Sequence, residues 1–402
     1  MKSFAKQDRK MKNIKYIVSY DVQSNHEENR VNVLASSNKI DYIVTVLNSL
    51  DYQVELISTS QTLNKKCYLG KKIKVGQNVL RLFPTTWRGG LLCKCINAVI
   101  MRLNIWNYLR KNVSIGEKVI VYHSARNMWI LDYLKKRKKA YVIEEVEEIY
   151  GEIFQNRKLA EKEKRKLQIA DAYIYPTILL DSIVNKEKKP SLVVHGAYVN
   201  TDYNRCAQGG DIVDGDDSAV FEREKYHVGY TGILDSQKGC LSFVKSAKFL
   251  DENYHIHILG FGDQNEIDVL RDCISNTRNE TRCTITYDGI RRGEAYENYL
   301  KKLNLGICSV DSKKDFILTQ FPSKVISYMV NGLPVLCSDI DTVKTSNVAN
   351  AVSFYQGDEP KDIAEAIKNA RAQMKHIDVR KIIDGCHEKF IQEIGELLQG
   401  GN

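Results

Sequence analysis

The 402-residue chain, 43% hydrophobic and 27% charged, is too long for one ordinary core, so two domains of roughly 150–200 residues are expected. It contains no run of 18 apolar residues, and its basic start MKSFAKQDRKMKN lacks the apolar core of a secretory signal; neither a spanning helix nor export is expected. The net charge of +9 is unevenly spread: residues 1–200 hold 35 Lys and Arg against 19 Asp and Glu, a surplus of +16, whereas the remainder carries −7.

Short apolar runs alternate with helical patterns along both halves, the signature of parallel sheets with crossover helices. In the first half the strands are expected at 15–20, 53–59, 79–83, 118–123, 140–145, 172–175 and 192–194. The helices are expected at 39–50, 90–111, 125–136, 156–169 and 178–184. The cationic segment Lys135–Lys139 suits a helix C-terminus, where the dipole favours positive charge. The acidic, glycine-containing stretch 201–225 breaks the alternation and reads as a linker. Beyond it, strands are expected at 227–230, 256–259, 284–287, 306–310, 335–338 and 351–354. Helices follow at 238–250, 266–275, 294–302, 322–331 and 360–375. The division is therefore 1–200, linker 201–225, 226–378, and a final helical stretch 379–402 able to pack on either domain. An α/β protein of two doubly wound, Rossmann-like domains facing across a cleft follows, with ligands beyond the carboxyl ends of the strands.

Four loops in the second half carry the chemistry. Tyr230-Thr-Gly232 ends a strand and leads to Lys238-Gly239, where a lysine beside a helix start is ready to receive a diphosphate. Ile258-Leu-Gly260-Phe-Gly262-Asp263 and Tyr287-Asp-Gly289-Ile290 are further strand-end turns. Phe321-Pro322-Ser323-Lys324 opens a helix that stops at Gly332 before the buried run Leu333-Pro-Val335.

In this order and spacing the loops resemble the nucleotide-sugar-binding domain of family 4 glycosyltransferases, which have the GT-B fold; the resemblance is clearest over 226–340. The first half is similar more loosely, through Asn38-Lys39-Ile-Asp-Tyr-Ile, Glu144-Glu-Val-Glu-Glu-Ile-Tyr150, Ala170-Asp171 and Thr177. The resemblance implies retaining transfer of a sugar from a nucleotide diphosphosugar without a cofactor or a required metal ion. It implies a glycan or lipid-linked glycan acceptor in bacterial capsule, O-antigen or exopolysaccharide assembly.

Carried over by position, Lys238 binds the diphosphate as a catalytic cation, and Gly232, Gly260 and Gly262 lie against the nucleotide. Gly289 and Ile290 approach the base, while Phe321, Pro322, Ser323 and Lys324 line the phosphate and sugar. His123, at the end of an inner strand, is the N-terminal catalytic candidate, against the alternative of a packed histidine. Two glutamates usual in the family are replaced by Thr319 and Ser327, and an arginine usual after the first-loop glycine is Ile233. Hydroxyls still bond a sugar but carry no charge, so a nucleotide-sugar-binding pseudoenzyme acting as partner or scaffold is the alternative. Asp311 and Asp315 are candidates for a displaced carboxylate.

Other features point less far. Asp214-Gly-Asp216-Asp217 has the form of a metal-binding pair but sits in the linker. Glu145 and Glu147 share a strand face on the acceptor side. His255 and His257 flank Ile256 with metal-ligand spacing but have no third ligand nearby in sequence, so structural histidines are preferred. Cys93-Lys-Cys95 has no partners either. The ten scattered cysteines, without a CxxC pair, fit a reducing, cytoplasmic compartment. The basic first half, with Trp87, Arg88, the apolar 91–105 stretch, Trp106 and Arg110-Lys111, admits a peripheral contact with the inner membrane face, beside nucleic-acid binding and an ordinary solvated surface, which is the default for any single basic run. No nucleic-acid motif accompanies the charge, and nucleic acid is not expected as a partner.

Overall fold

The computed structural model describes residues 11–22, 24–87, 89–200, 220–234, 239–309, 319–373 and 377–400. The chain divides into two units, residues 1–194 with 389–402, and residues 195–388.

The first unit is built on strands β1 (Lys12–Val18), β2 (Tyr52–Ser58), β3 (Lys71–Val75), β4 (Asn78–Leu82), β5 (Lys118–Tyr122), β6 (Tyr141–Glu145), β7 (Ala172–Tyr175) and β8 (Ser191–Val193), in the order β3-β4-β2-β1-β5-β6-β7-β8. All pairings are parallel except β3 with β4. The central strands are buried on both faces, which explains their continuous Val, Ile and Tyr runs. The strand β3 escaped the sequence reading because its KKIKV pattern is that of an exposed edge. Strand order reverses between β1 and β5, where a doubly wound sheet opens its crevice.

The second unit is a six-stranded parallel sheet of β9 (Tyr226–Ile233), β10 (Tyr254–Phe261), β11 (Thr284–Tyr287), β12 (Leu305–Cys308), β13 (Val335–Ser338) and β14 (Val352–Tyr355), ordered β11-β10-β9-β12-β13-β14. Its switch point lies between β9 and β12. The apolar core on one face gathers Val228, Tyr230, Ile256, Ile258 and Ile285 against Phe243, Val244, Ile363 and Ile367 of the covering helices.

Residues 201–219 of the expected linker, with Asp214, Asp216 and Asp217, lie outside the described residues. The last part of that stretch belongs to the second unit: the Phe221 ring stacks 4.6 Å from the His257 ring, and the Glu222 carbonyl accepts a hydrogen bond from His227. The final helix Val379–Gln399 packs on both units in turn. Its Arg380 lies beside Gly332 in the second. Farther along, Phe390 stacks on Tyr42 at 5.4 Å, and the Leu398 carbonyl accepts from Lys118 in the first. Among the described residues no helix is long and apolar enough to cross a membrane.

Candidate functional site

The second unit's switch point collects most of the loops singled out in the sequence. The strand β9 leaves the sheet through Gly232 at φ +123°, a conformation L side chains rarely adopt. The loop after β10 presses against it: a Cβ on Gly260 would stand 1.9 Å from the Gly232 carbonyl oxygen. Gly260 in turn donates its amide to the Gly289 carbonyl at 2.8 Å, and Leu234 donates to the Phe261 carbonyl. Three strand-end turns are thus locked together by backbone. Gly289 is buried and Ile290 half-buried beside it. Gly262 closes the same layer, its absent Cβ facing the Leu234 carbonyl at 2.9 Å.

Lys324 comes to this layer from the helix Ser323–Val330, although the sequence placed it behind the phosphate loop. Its ammonium lies 3.5 Å from the centre of the Tyr230 ring, and its Cε would meet a Cβ on Gly232 at 3.0 Å. Pro322 caps the helix, and Val325 is the first residue to donate back, to the Pro322 carbonyl. An ammonium group, a helix N-terminus and side-chain-free backbone converge at one strand end, the arrangement that receives phosphate. Lys238 lies outside the described residues, as do Asp311 and Asp315.

Thr319 and Ser327 are placed differently from a pair of sugar-facing carboxylates. Thr319 is buried. The Ser327 hydroxyl is 3.1 Å from the Tyr296 hydroxyl, which is 3.0 Å from Thr231 Oγ1; the Tyr328 hydroxyl accepts from the Thr231 amide. These hydroxyls tie β9 to the helix below the loop. Phe321 is packed rather than open: its ring stacks on His195 at 4.4 Å, and His195 Nε2 meets Asn347 Oδ1 at 2.7 Å.

In the first unit the switch point between β1 and β5 holds a crevice of about 230 Å³, lined by Ile17, Ser19, Thr59, Tyr122, Ser124 and Tyr150 among others. His123 lies beneath it, 1% exposed. Its Nε2 is 2.9 Å from Glu163 Oε1, and Glu163 also accepts from the Tyr150 and Gly151 amides. Burial opposes charge on His123, but Glu144 and Glu163 outweigh it and raise its pKa. Glu163 was missed in the sequence because its pairing with His123 spans forty residues of chain. Glu145 is fully buried: Tyr16 donates to it, Lys39 lies 3.9 Å away, and burial pushes its pKa to about 8. Of the two acceptor-side candidates, Glu147 is the more exposed, and it pairs with Lys39.

Residues 225–372 match the family Glycosyl transferases group 1. This match lies wholly within the second unit. The family 4 resemblance read from the four loops is borne out there, and the fold of the chain is GT-B. The E. coli trehalose-6-phosphate structure bound with UDP-2-fluoro glucose superposes with a TM-score of 0.63 at 10% identity, covering 96% of this chain and 98% of that one. Anabaena HepE in complex with UDP gives 0.60 at 10% identity, covering 97% and 100%. A Rickettsia africae glycosyltransferase gives 0.56 at 12%, covering 96% and 94%. No curated protein matches the sequence. The matched span includes the second unit's strand-end loops described above.

Proposed function

We propose that the protein is a retaining glycosyltransferase that moves a sugar from a nucleotide diphosphosugar to a glycan acceptor, carried on a lipid diphosphate, in bacterial surface polysaccharide assembly. The observation that carries the reading is the convergence of Lys324, the Ser323–Val330 helix start and the Gly232–Gly260 backbone layer in the group 1 glycosyltransferase domain. As the sugar bond breaks, charge grows on the departing nucleoside diphosphate. Fixed ammonium groups and amides stabilise that charge without reorganisation, so Lys238 and Lys324 would serve in place of a metal ion. The relatives with bound UDP and UDP-2-fluoro glucose favour a nucleotide-sugar donor.

The acceptor belongs to the basic first unit, with the crevice at β1 and β5 as its entry. The helix Leu91–Asn112 supports a membrane-associated acceptor. Leu92, Ile96, Val99, Leu103 and Trp106 form an exposed apolar stripe at alternating spacings of four and three, and Arg102 and Arg110 flank it. An apolar stripe edged by cations fits the inner face of an anionic bilayer.

Thermal-shift measurement against UDP, GDP, ADP and their sugars tests the donor site, because a ligand selective for the native state raises apparent stability. Stabilisation by one nucleotide class is expected; no response to any of them would overturn the reading. A binding-only pseudoenzyme remains the second reading, favoured by the engagement of Ser327 with Tyr296 where the family has a glutamate. Slow hydrolysis of the stabilising donor distinguishes the two.

A further inference from the structure

Three histidines meet on the face of the second unit's sheet opposite its apolar core. His227 is the second residue of β9, and His255 and His257 lie on β10; the parallel register sets His255 directly opposite His227. One ring nitrogen from each lies within 4.8 Å of the other two, and all three residues are buried. The third partner that His255 and His257 lack in sequence is therefore supplied by the neighbouring strand.

The hydrogen bonds around these rings decide where their protons sit. His257 Nδ1 faces Asp288 Oδ2 at 2.7 Å and His227 Nε2 faces the Glu222 carbonyl at 2.8 Å. Both partners only accept, so both of these nitrogens donate. In a neutral imidazole the other nitrogen then holds a lone pair. Those other nitrogens, His257 Nε2 and His227 Nδ1, face each other at 2.9 Å. Two lone pairs at hydrogen-bond distance in a buried site require a cation between them.

We propose that the cation is a divalent transition metal of the zinc class, held by His227, His255 and His257. The separation of 2.9 Å is close to the roughly 3.3 Å edge of a tetrahedron with metal–nitrogen bonds of about 2.0–2.1 Å. His255 Nδ1 is buried without a hydrogen-bond partner, and so is Asp288 Oδ1. The first offers a free nitrogen to the ion. Asp288 also holds His257 Nδ1 and accepts from the Tyr299 hydroxyl, the carboxylate–histidine pairing that orients imidazoles on metals. Imidazole donors suit zinc, cobalt, nickel and copper, and exclude magnesium and calcium. The ion would clamp β9 to β10 a few residues before the donor loops begin, and the site stands independently of the proposed sugar transfer.

The test uses the full chain stripped with a chelator and titrated with Co²⁺, then Zn²⁺. One equivalent of Co²⁺ with the visible bands of a tetrahedral, nitrogen-ligated ion is expected, displaced by Zn²⁺ and accompanied by a rise in melting temperature. His255→Gln should weaken Co²⁺ binding at least tenfold while leaving a folded protein. A thiolate charge-transfer band would assign the ion to cysteine and overturn the proposal. Absence of stoichiometric binding would overturn it too, and identify the cation between His227 and His257 as a proton.

Discussion

Lys324 holds its ammonium group over the face of Tyr230, 3.5 Å from the ring centre. The ring belongs to the strand that ends in Gly232, so the cation is stationed beside the first donor loop by a side chain of that same strand. Lys324→Ala is expected to weaken nucleoside diphosphate binding by roughly ten- to a hundredfold, the worth of one charge-assisted contact. Calorimetric titration with the stabilising nucleotide measures it. An unchanged affinity would remove Lys324 from the site. Lys238→Ala, tested in parallel, is expected to behave alike.

Gly260 has no space for a side chain, since its Cβ would lie 1.9 Å from a backbone oxygen that cannot rotate away. Gly260→Ala should destabilise the second unit by about 1–3 kcal/mol and abolish nucleotide stabilisation, because the Gly232 turn must shift. Gly90, which has open space around its Cβ position, provides the control: Gly90→Ala should leave nucleotide affinity unchanged.

His123 links pH to stability. Its folded pKa is raised above the ordinary 6.5, burial being outweighed by Glu144 and Glu163. The imidazolium therefore contributes stability fully below pH 6.5 and loses it as pH rises through the raised value. His123→Gln is expected to cost about 3–5 kcal/mol at pH 6, since it strands a buried carboxylate. Denaturant unfolding at a series of pH values should show the gap between wild type and variant narrowing at alkaline pH. A constant gap would mean that the ring is neutral throughout.

Asp41 shifts stability with pH in the same direction, but here the charged form is the one the fold disfavours. Burial outweighs the hydrogen bond from Tyr20 and pushes its carboxyl up to about 7. A carboxyl with a raised pKa stabilises the fold only while protonated, so its contribution fades between pH 3.8 and 7. Asp41→Asn keeps an acceptor for Tyr20 and removes the ionisation. The variant should melt higher than wild type at pH 8 and the advantage should vanish by pH 4.

The stripe on the helix Leu91–Asn112 gives the membrane reading its own test. Leu92→Glu with Leu103→Glu alters two exposed positions and should abolish flotation with anionic vesicles while leaving the melting temperature nearly unchanged. Equal flotation of the double variant would refute the contact.

Much of the fold was legible because buried parallel strands are written in continuous Val, Ile and Tyr runs. The strands at 172–175, 284–287 and 335–338 coincide with the expected bounds. The helix Leu34–Ser49 begins earlier than expected because its first turn, Leu-Ala-Ser-Ser-Asn, carries no apolar period. Contacts across the sheet were the least legible. Nothing within the run of β10 announces that His227 stands opposite His255, because strand register is a tertiary fact. For the same reason the glycines of the donor loops were found as turns, whereas their mutual locking through Gly260 and Gly232 required three strand ends side by side.

The helix Val379–Gln399 gives the first unit a discontinuous assembly order. Strands β1 to β8 leave the ribosome early, but Tyr42 receives its stacking partner only when Phe390 has been made. At about 5–20 residues per second, the roughly 200 residues in between take on the order of 10–40 s. The unit that is synthesised first is thus completed only after the second has been made, and during that interval Tyr42 lacks the cover that Phe390 gives it.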